Sequence, residues 1–267
     1  MLPFDAVLLA SVGFLVGIIA SMVGVGGGVF IVPFLSIVFE FTSQEAVGSS
    51  LAVVVFTSVA STFAYSKQKR IDYKVGLVSA VTTVPGAVLG AYLTTLVSSR
   101  LLGLVFAFFL VFVALRMATD LHVPFLNVNL SRWHRRLVDS EGEVFEHDAD
   151  VMLGFVLAFF GGLSSGLLGT GGGAIMVPIL HLAVNQPMHV AVATSMFIMI
   201  FTSIAGVLTH MRLDNVKFEY SACIAFGVIF GAQLGARISR NTSGKILRGT
   251  FSIVLLIVSI RLLLKFI

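Results

Sequence analysis

Charge is what this chain has least of. Only 11 % of its 267 residues are Asp, Glu, Lys or Arg, while 57 % are apolar; a soluble domain carries about 25 % charged residues. None of the four occurs from residue 151 to 211, and other charge-free stretches run Ala6–Phe39, Ala46–Ser66 and Val75–Ser99. A bilayer-crossing helix needs roughly 20 predominantly apolar residues, so the missing charge points to lipid as the solvent. The runs are continuously apolar rather than alternating, which excludes a membrane β-barrel. A single cysteine, Cys223, excludes an internal disulfide and is read as packing. The opening "MLPFDAVLLA" has neither a basic leader nor a small-residue cleavage site, so the first apolar run is expected to stay. A dispersed net charge of +4 gives no nucleic-acid surface and fits basic residues flanking spans.

What the chain does have is glycine in an unusual place. "GVGGGVFIVPFL" (Gly24–Leu35) and "GTGGGAIMVPIL" (Gly169–Leu180) lie 145 positions apart. The same offset relates "GAVLGA" (Gly86–Ala91) to "GAQLGA" (Gly231–Ala236), "SSLAVVVFTSVAS" (Ser49–Ser61) to "TSMFIMIFTSIAG" (Thr194–Gly206), and Arg116 to Arg261. "RID" at Arg70–Asp72 answers "RLD" at Arg212–Asp214 after a small shift. One constant offset across several segments implies a tandem duplication. The expected organisation is an N-terminal membrane repeat over 1–119, a polar linker over 120–150 and a C-terminal membrane repeat over 151–267. In the linker, Leu130–Val138 is expected as a short interfacial helix or a solvated stretch, with Trp133 among Arg132, Arg135 and Arg136 suited to headgroups.

Each copy reads as four apolar blocks: 6–39, 46–66, 75–97 and 101–119, then 151–184, 188–211, 218–238 and 246–264. As one helix, Ala6–Phe39 would measure ~50 Å, against a hydrocarbon core of about 30 Å. The glycine string falls inside that block, so each long block is expected to be two helical pieces, re-entrant or hairpin. Lys and Arg in the loops do not separate parallel from inverted copies; the length argument favours a chain that turns back. The fold class is therefore an all-α polytopic membrane protein of two homologous halves, read as inverted repeats, with about 8 to 10 membrane segments.

Consecutive glycines cost about 1 kcal/mol each in a helix relative to alanine and admit positive φ. Unwound backbone is tolerated in a membrane only where protein buries it or water reaches it. A helix restarting at about Val29 or Ala174 presents unpaired N–H groups and the positive end of its dipole, which suits an anion. The candidate substrate-binding set is Gly24, Gly26, Gly27, Gly28, Val29 and Pro33 with Gly169, Gly171, Gly172, Gly173, Ala174 and Pro178. Intramembrane hydroxyls add Ser49, Ser50, Thr57, Thr194, Ser195 and Thr202, although Ser and Thr also bond their own helix carbonyls. Gln233, in place of Val88, is either helix glue or a ligand contact. By contrast Gly13/Gly17, Gly86/Gly90 and Gly231/Gly235 have the spacing of close helix crossings. His181 and His210 are titratable candidates for proton coupling, set against a structural role. Asn185 and Gln186 are expected to cap the next helix. Acidic residues (Asp5, Glu40, Glu45, Asp214, Glu219) cluster at span ends, giving no buried carboxylate relay. A nucleotide loop would need Lys and Ser/Thr where Ala174 and Ile175 stand. No nucleophile–base pair or metal cluster marks an enzyme, and no cofactor is expected.

The duplicated G-x-G-G-G-x-x-x-V-P-x-L pattern, covering Gly24–Leu35 and Gly169–Leu180, resembles the TauE/SafE family, the sulfite exporters and sulfonate uptake permeases. The resemblance implies a multi-pass inner-membrane transporter of small sulfur-containing anions (sulfite, sulfonates or sulfoacetate). It implies alternating access, with an anion channel or a permease for another small anion as the alternative. Its partners would be that anion and the lipid bilayer, with a homodimer left open.

Overall fold

The computed structural model describes residues 3–96, 98 and 132–266, together with single helical positions between 100 and 118. The first half contains α1 (Pro3–Val23), α2 (Gly28–Val38), α3 (Ser43–Lys67) and α4 (Tyr73–Leu93). Two strands follow, β1 (Arg132–Val138) and β2 (Val144–Asp150). The second half contains α5 (Val151–Leu168), α6 (Gly173–Pro178) running into a π turn over Ile179–Ala183, α7 (Met188–Arg212), α8 (Phe218–Arg240) and α9 (Gly244–Phe266). Six described helices, α1, α3, α4, α5, α7 and α8, are long and apolar enough to cross a membrane. The expected block at 101–119 lies largely outside the described residues.

Local chemistry sets the helix starts. Thr42 and Glu45 form a capping box on α3, with Thr42 Oγ1 accepting from Glu45 N at 3.3 Å and Glu45 Oε2 from Thr42 N at 3.1 Å. Asp72 caps α4 by accepting from Val75 N, and Asp150 caps α5 by accepting from Leu153 N. The start of α7 departs from expectation: Pro187 is its N-cap, with no side-chain cap. Asn185 instead takes a positive φ of 58° in the turn, and the Gln186 side chain is buried. Proline supplies the start because its fixed φ suits a helix entry and its missing N–H is not needed there.

The small-residue motifs are helix crossings. On α8, a methyl at Gly227, Gly231 or Gly235 would be driven into the backbone carbonyl of Ala10, Phe14 or Ile18 on α1. On α5, Gly162 and Gly166 press on the carbonyls of Thr83 and Ala87 of α4, while Gly86 and Gly90 press on those of Phe159 and Leu163. Contacts that advance by four residues on both helices in the same direction make these pairs parallel. Backbone-to-backbone approach replaces the hydrophobic driving force that lipid cannot supply.

The central pair is α3 and α7, the most buried of the six long apolar helices. They run antiparallel: Gly48 meets His210 and Asn215, Leu51 meets Gly206, and Val54 and Met199 share contact with Gly26. In each half the opening pair folds back on itself. Gly27 meets Val16 and Ala20 of α1, and Leu9, Val16, Ala20, Ile31 and Leu35 form one cluster. Phe39 and Phe41, past the end of α2, pack their rings on Tyr220 at 5.1 and 4.9 Å. Tyr220 lies at the start of α8, and therefore beside the start of its parallel partner α1. In the second half Met176 meets Gly161, and Val184 meets Gly154.

The segment Arg132–Val138, expected as an interfacial helix or solvated coil, is a β-strand paired antiparallel with Val144–Asp150. The cause is charge complementarity across the strands. Arg136 faces Glu146, His134 faces Asp148 and Arg132 faces Asp150, and Gly142 at φ 89° closes the turn. Trp133 stands on this hairpin, 40 % exposed. The hairpin docks on the α3–α4 loop. Arg135 grips Asp72 with bonds of 2.9 and 2.8 Å, Arg70 grips Asp139 with bonds of 3.2 and 2.8 Å, and Ser140 N donates to Gln68 O. Asp72, at the start of α4, is a fully buried carboxylate.

Glycine crossings this tight make a direct prediction. Gly227→Val should cost about 1–3 kcal/mol by overpacking and lower the melting temperature of the detergent-solubilised protein. Gly249→Ala, where nothing lies within 4 Å, should leave it unchanged or raise it. Equal melting temperatures for Gly227→Val and the parent would contradict the crossing.

Candidate functional site

Both glycine strings unwind their helices. Gly24, Gly26 and Gly27 have φ of 86°, 80° and 92°, and Gly169, Gly171 and Gly172 have φ of 70°, 75° and 87°. These left-handed values would strain any residue with a Cβ. The helices restart at Gly28 and Gly173, one residue before Val29 and Ala174. In α2 the first bonds are donated by Phe30 and Ile31 to Gly27 O, and in α6 by Ile175 and Met176 to Gly172 O. The N–H groups of Gly28, Val29, Gly173 and Ala174 therefore have no acceptor within their own helices. Pro33 lies inside α2 and Pro178 ends α6. Each withdraws one further helical bond, and in the second half the chain widens there into the π turn.

The two breaks meet. A Cβ at Gly28 would collide with Gly169 O, and one at Gly173 with Gly24 O. Val54 and Met199, equivalent positions of the two copies, both sit against both breaks: Met199 Sδ lies 2.8 Å from a Cβ built at Gly26 and 3.2 Å from one at Gly171, and Val54 Cγ1 touches the same pair. All the tract residues, including Val29 and Ala174, are buried. Sequence reasoning did not single out Val54 or Met199, because apolar residues on an apolar helix carry no signal of their own. Their mutual offset of 145 was the clue.

The hydroxyls fall into three groups. Ser50 Oγ lies 2.7 Å from Gly169 O and 2.9 Å from Val47 O, and Ser195 Oγ 3.0 Å from Gly24 O and 2.9 Å from Val192 O, so each serine shares its hydroxyl hydrogen between the other half's break and its own helix. These two hydroxyl hydrogens are directed at carbonyls. Ser49 Oγ accepts from Lys217 N at 2.9 Å, and Thr194 Oγ1 from Asp72 N at 3.0 Å. This pair pins the loops leading into α8 and α4. Thr57 Oγ1 bonds Val53 O on its own helix, and Thr202 Oγ1 joins Ile198 O and Thr83 Oγ1. Gln233 stands half-buried on α8, between the two glycines that carry α8 over Phe14 and Ile18.

The two histidines take structural positions. His210 Nε2 donates to Gly166 O at 2.9 Å, matching Tyr65, whose hydroxyl donates to Ser21 O at the equivalent place. His181 Nδ1 meets Gln186 O at 2.8 Å. Among the described residues, no group of three or more His, Cys, Asp or Glu could hold a metal ion.

Charged residues that sequence reading passed over lie at the hairpin end. Arg70 and Asp139 have side chains 2 % and 1 % exposed. Burial opposes ionisation of Asp139, yet the Arg70 guanidinium and the N–H groups of Glu141 and Glu143 outweigh it and hold the carboxyl below its ordinary range. Asp72 ties this cluster to the breaks, since its N–H holds Thr194, the residue next to Ser195.

The sequence matches the family described as sulfite exporter TauE/SafE over residues 9–262. A probable membrane transporter protein of Bacillus subtilis (strain 168), YunE, is 36 % identical over 264 residues, covering 96 % of this chain and 97 % of the relative. A probable membrane transporter protein of Methanocaldococcus jannaschii is 29 % identical over 272 residues, covering 96 % and 95 %. Another from Bacillus subtilis, YdhB, is 25 % identical over 230 residues, covering 86 % and 89 %. No solved structure matches the chain. With two glycine-broken helix pairs meeting inside a bundle of apolar helices, and a family match spanning nearly its whole length, the chain belongs to the TauE/SafE family of multi-pass membrane transporters.

Proposed function

We propose that this transporter carries a small sulfur-containing anion, such as sulfite, a sulfonate or sulfoacetate, across the inner membrane by alternating access. The observation that carries the reading is the meeting of the two breaks. The N–H groups of Gly28, Val29, Gly173 and Ala174, which have no acceptor within their own helices, are helix starts without any side-chain counter-charge. Each helix end contributes about 0.3–1 kcal/mol toward an anion in exposed settings and up to about 2 kcal/mol when partly buried. Ser50 and Ser195 support the same reading from the other side. By donating to Gly169 O and Gly24 O, they occupy carbonyl lone pairs that would otherwise repel a negative solute. Dipoles of this size hold an anion while allowing its release, whereas a buried guanidinium would retain it.

The two copies are read as inverted repeats. Support comes from α3 and α7, equivalent helices that cross antiparallel, so the axis relating them lies perpendicular to both. The fold-back of α1 on α2 and of α5 on α6 supports a re-entrant opening segment in each half. Rocking of one half against the other about the shared breaks would then expose the anion to each side in turn.

Two experiments test this. Gly172→Val places a branched side chain at φ 87° and should reduce uptake of radiolabelled sulfite and sulfoacetate into proteoliposomes to the protein-free level, with the variant still monodisperse; unchanged uptake would refute the site. In a Cys223→Ser background, Lys69→Cys and Asp214→Cys, both exposed and equivalent in the two copies, should react with a membrane-impermeant maleimide from opposite faces. Labelling of both from one face would make the repeats parallel.

A further inference from the structure

The inner face of the hairpin carries Arg135, Leu137, Phe145, His147 and Ala149; it covers the α3–α4 loop, and the hairpin also meets the second half through Phe145 on His189 and Glu141 on Arg240. At the equivalent place in the second half, position 217 is Lys217, whose ammonium pairs in the open with Glu45 at 2.8 Å. On the covered side Asp72 is wholly buried and held twice by Arg135. His147, directly across the ladder from Arg135, has a side chain 3 % exposed and an Nε2 that is 3.9 Å from Asp72 Oδ2. Neither ring nitrogen has a hydrogen-bond partner. A buried imidazole with an unmatched N–H and an unmatched lone pair costs stability. Packing therefore does not explain a histidine here.

We propose that the 132–150 hairpin is a latch over one end of the helical domain and that His147 is the proton-binding site that releases it. A proton from water adds to the free ring nitrogen, and neutral imidazole becomes imidazolium. The groups facing it are Asp72 on the α3–α4 loop and Arg135 opposite on β1, while Asp148 and His134, paired with each other on the outer face of the hairpin, act on it through charge alone. Beyond them, Arg70 and His189 flank the neighbouring Phe145 ring. Asp72 attracts the imidazolium, but both its oxygens already accept from Arg135, and a second cation beside that guanidinium repels it. Burial is the larger effect, and together with the Arg135 and His134 charges it outweighs the carboxylates and holds the docked His147 below its ordinary pKa. Docking is thus fully favoured above about pH 6.5 and loses stability as the pH falls below it. Undocking hydrates the imidazolium and frees Arg135.

Release reaches the breaks by a short route. Asp72 N donates to Thr194 Oγ1, and the next residue, Ser195, holds Gly24 O. On the transport reading above, acid would open this end of the path; the latch itself does not depend on that reading.

Trp133, the only tryptophan in the chain, stands on this hairpin and reports its docking. In the full-length protein in detergent, iodide quenching of Trp133 should rise and its emission shift to the red as the pH is lowered from about 8 to about 5, across the histidine range. The transition should vanish in His147→Gln and in His147→Asn and persist in His134→Gln. Arg135→Gln should show the exposed signal already at the upper pH. Quenching independent of pH in the parent protein, or a transition that survives in both His147 variants or is lost in His134→Gln, would overturn the latch. Unchanged anion uptake in Gly172→Val with the transition intact would instead count against the proposed substrate site alone.

Discussion

Backbone N–H and C=O groups have no water to turn to inside a bilayer, and this protein breaks two of its helices deep in apolar sequence. Each break must therefore be satisfied by protein, and each is completed by the other half. Ser50 caps Gly169 O, Ser195 caps Gly24 O, and the starts of α2 and α6 press on the opposite tract. Neither half could bury its own break alone. In this arrangement the two similar breaks are each other's lining. The helix-start N–H groups, which have no acceptor within their own helices, are positive in sign, and the proposed anion site follows from them.

The pseudo-symmetry is close around the breaks and fails at the ends. Tyr65 and His210 bond equivalent carbonyls on the opening helices, and Ser49 and Thr194 hold equivalent loops. Past those loops the halves diverge. Before α8, Lys217 pairs near the surface with Glu45 of α3, whereas before α4 a buried Asp72 lies beneath the β-hairpin. Among the described residues, the hairpin marks this difference between the two ends.

The features legible in the sequence were those carried by repetition and by glycine. The breaks, their equivalence and the small-residue crossings at Gly86/Gly90 and Gly231/Gly235 all announced themselves through spacing, because only Gly tolerates those φ values and those backbone approaches. Where the structure departs, pairing across long separations decided the outcome. Arg132–Val138 reads as a basic segment until Val144–Asp150 supplies its opposite charges. Asp72 looks like one more residue at a span end until Arg135, distant in the chain, covers it. Ser49 and Ser50 are neighbours of one chemistry, yet one pins a loop and the other a break, a division set by partners 168 and 119 positions away. Single-residue chemistry cannot reveal such partners.

The central claim is that backbone N–H groups at the two helix starts receive the anion. Its most direct measurement is NMR of the full-length protein labelled with nitrogen-15 glycine, titrated with sulfite and with sulfoacetate. The account predicts saturable shifts of the Gly28 and Gly173 amides together, with Gly86 and Gly231 at the helix crossings unmoved. Saturable binding that leaves Gly28 and Gly173 unshifted would contradict it.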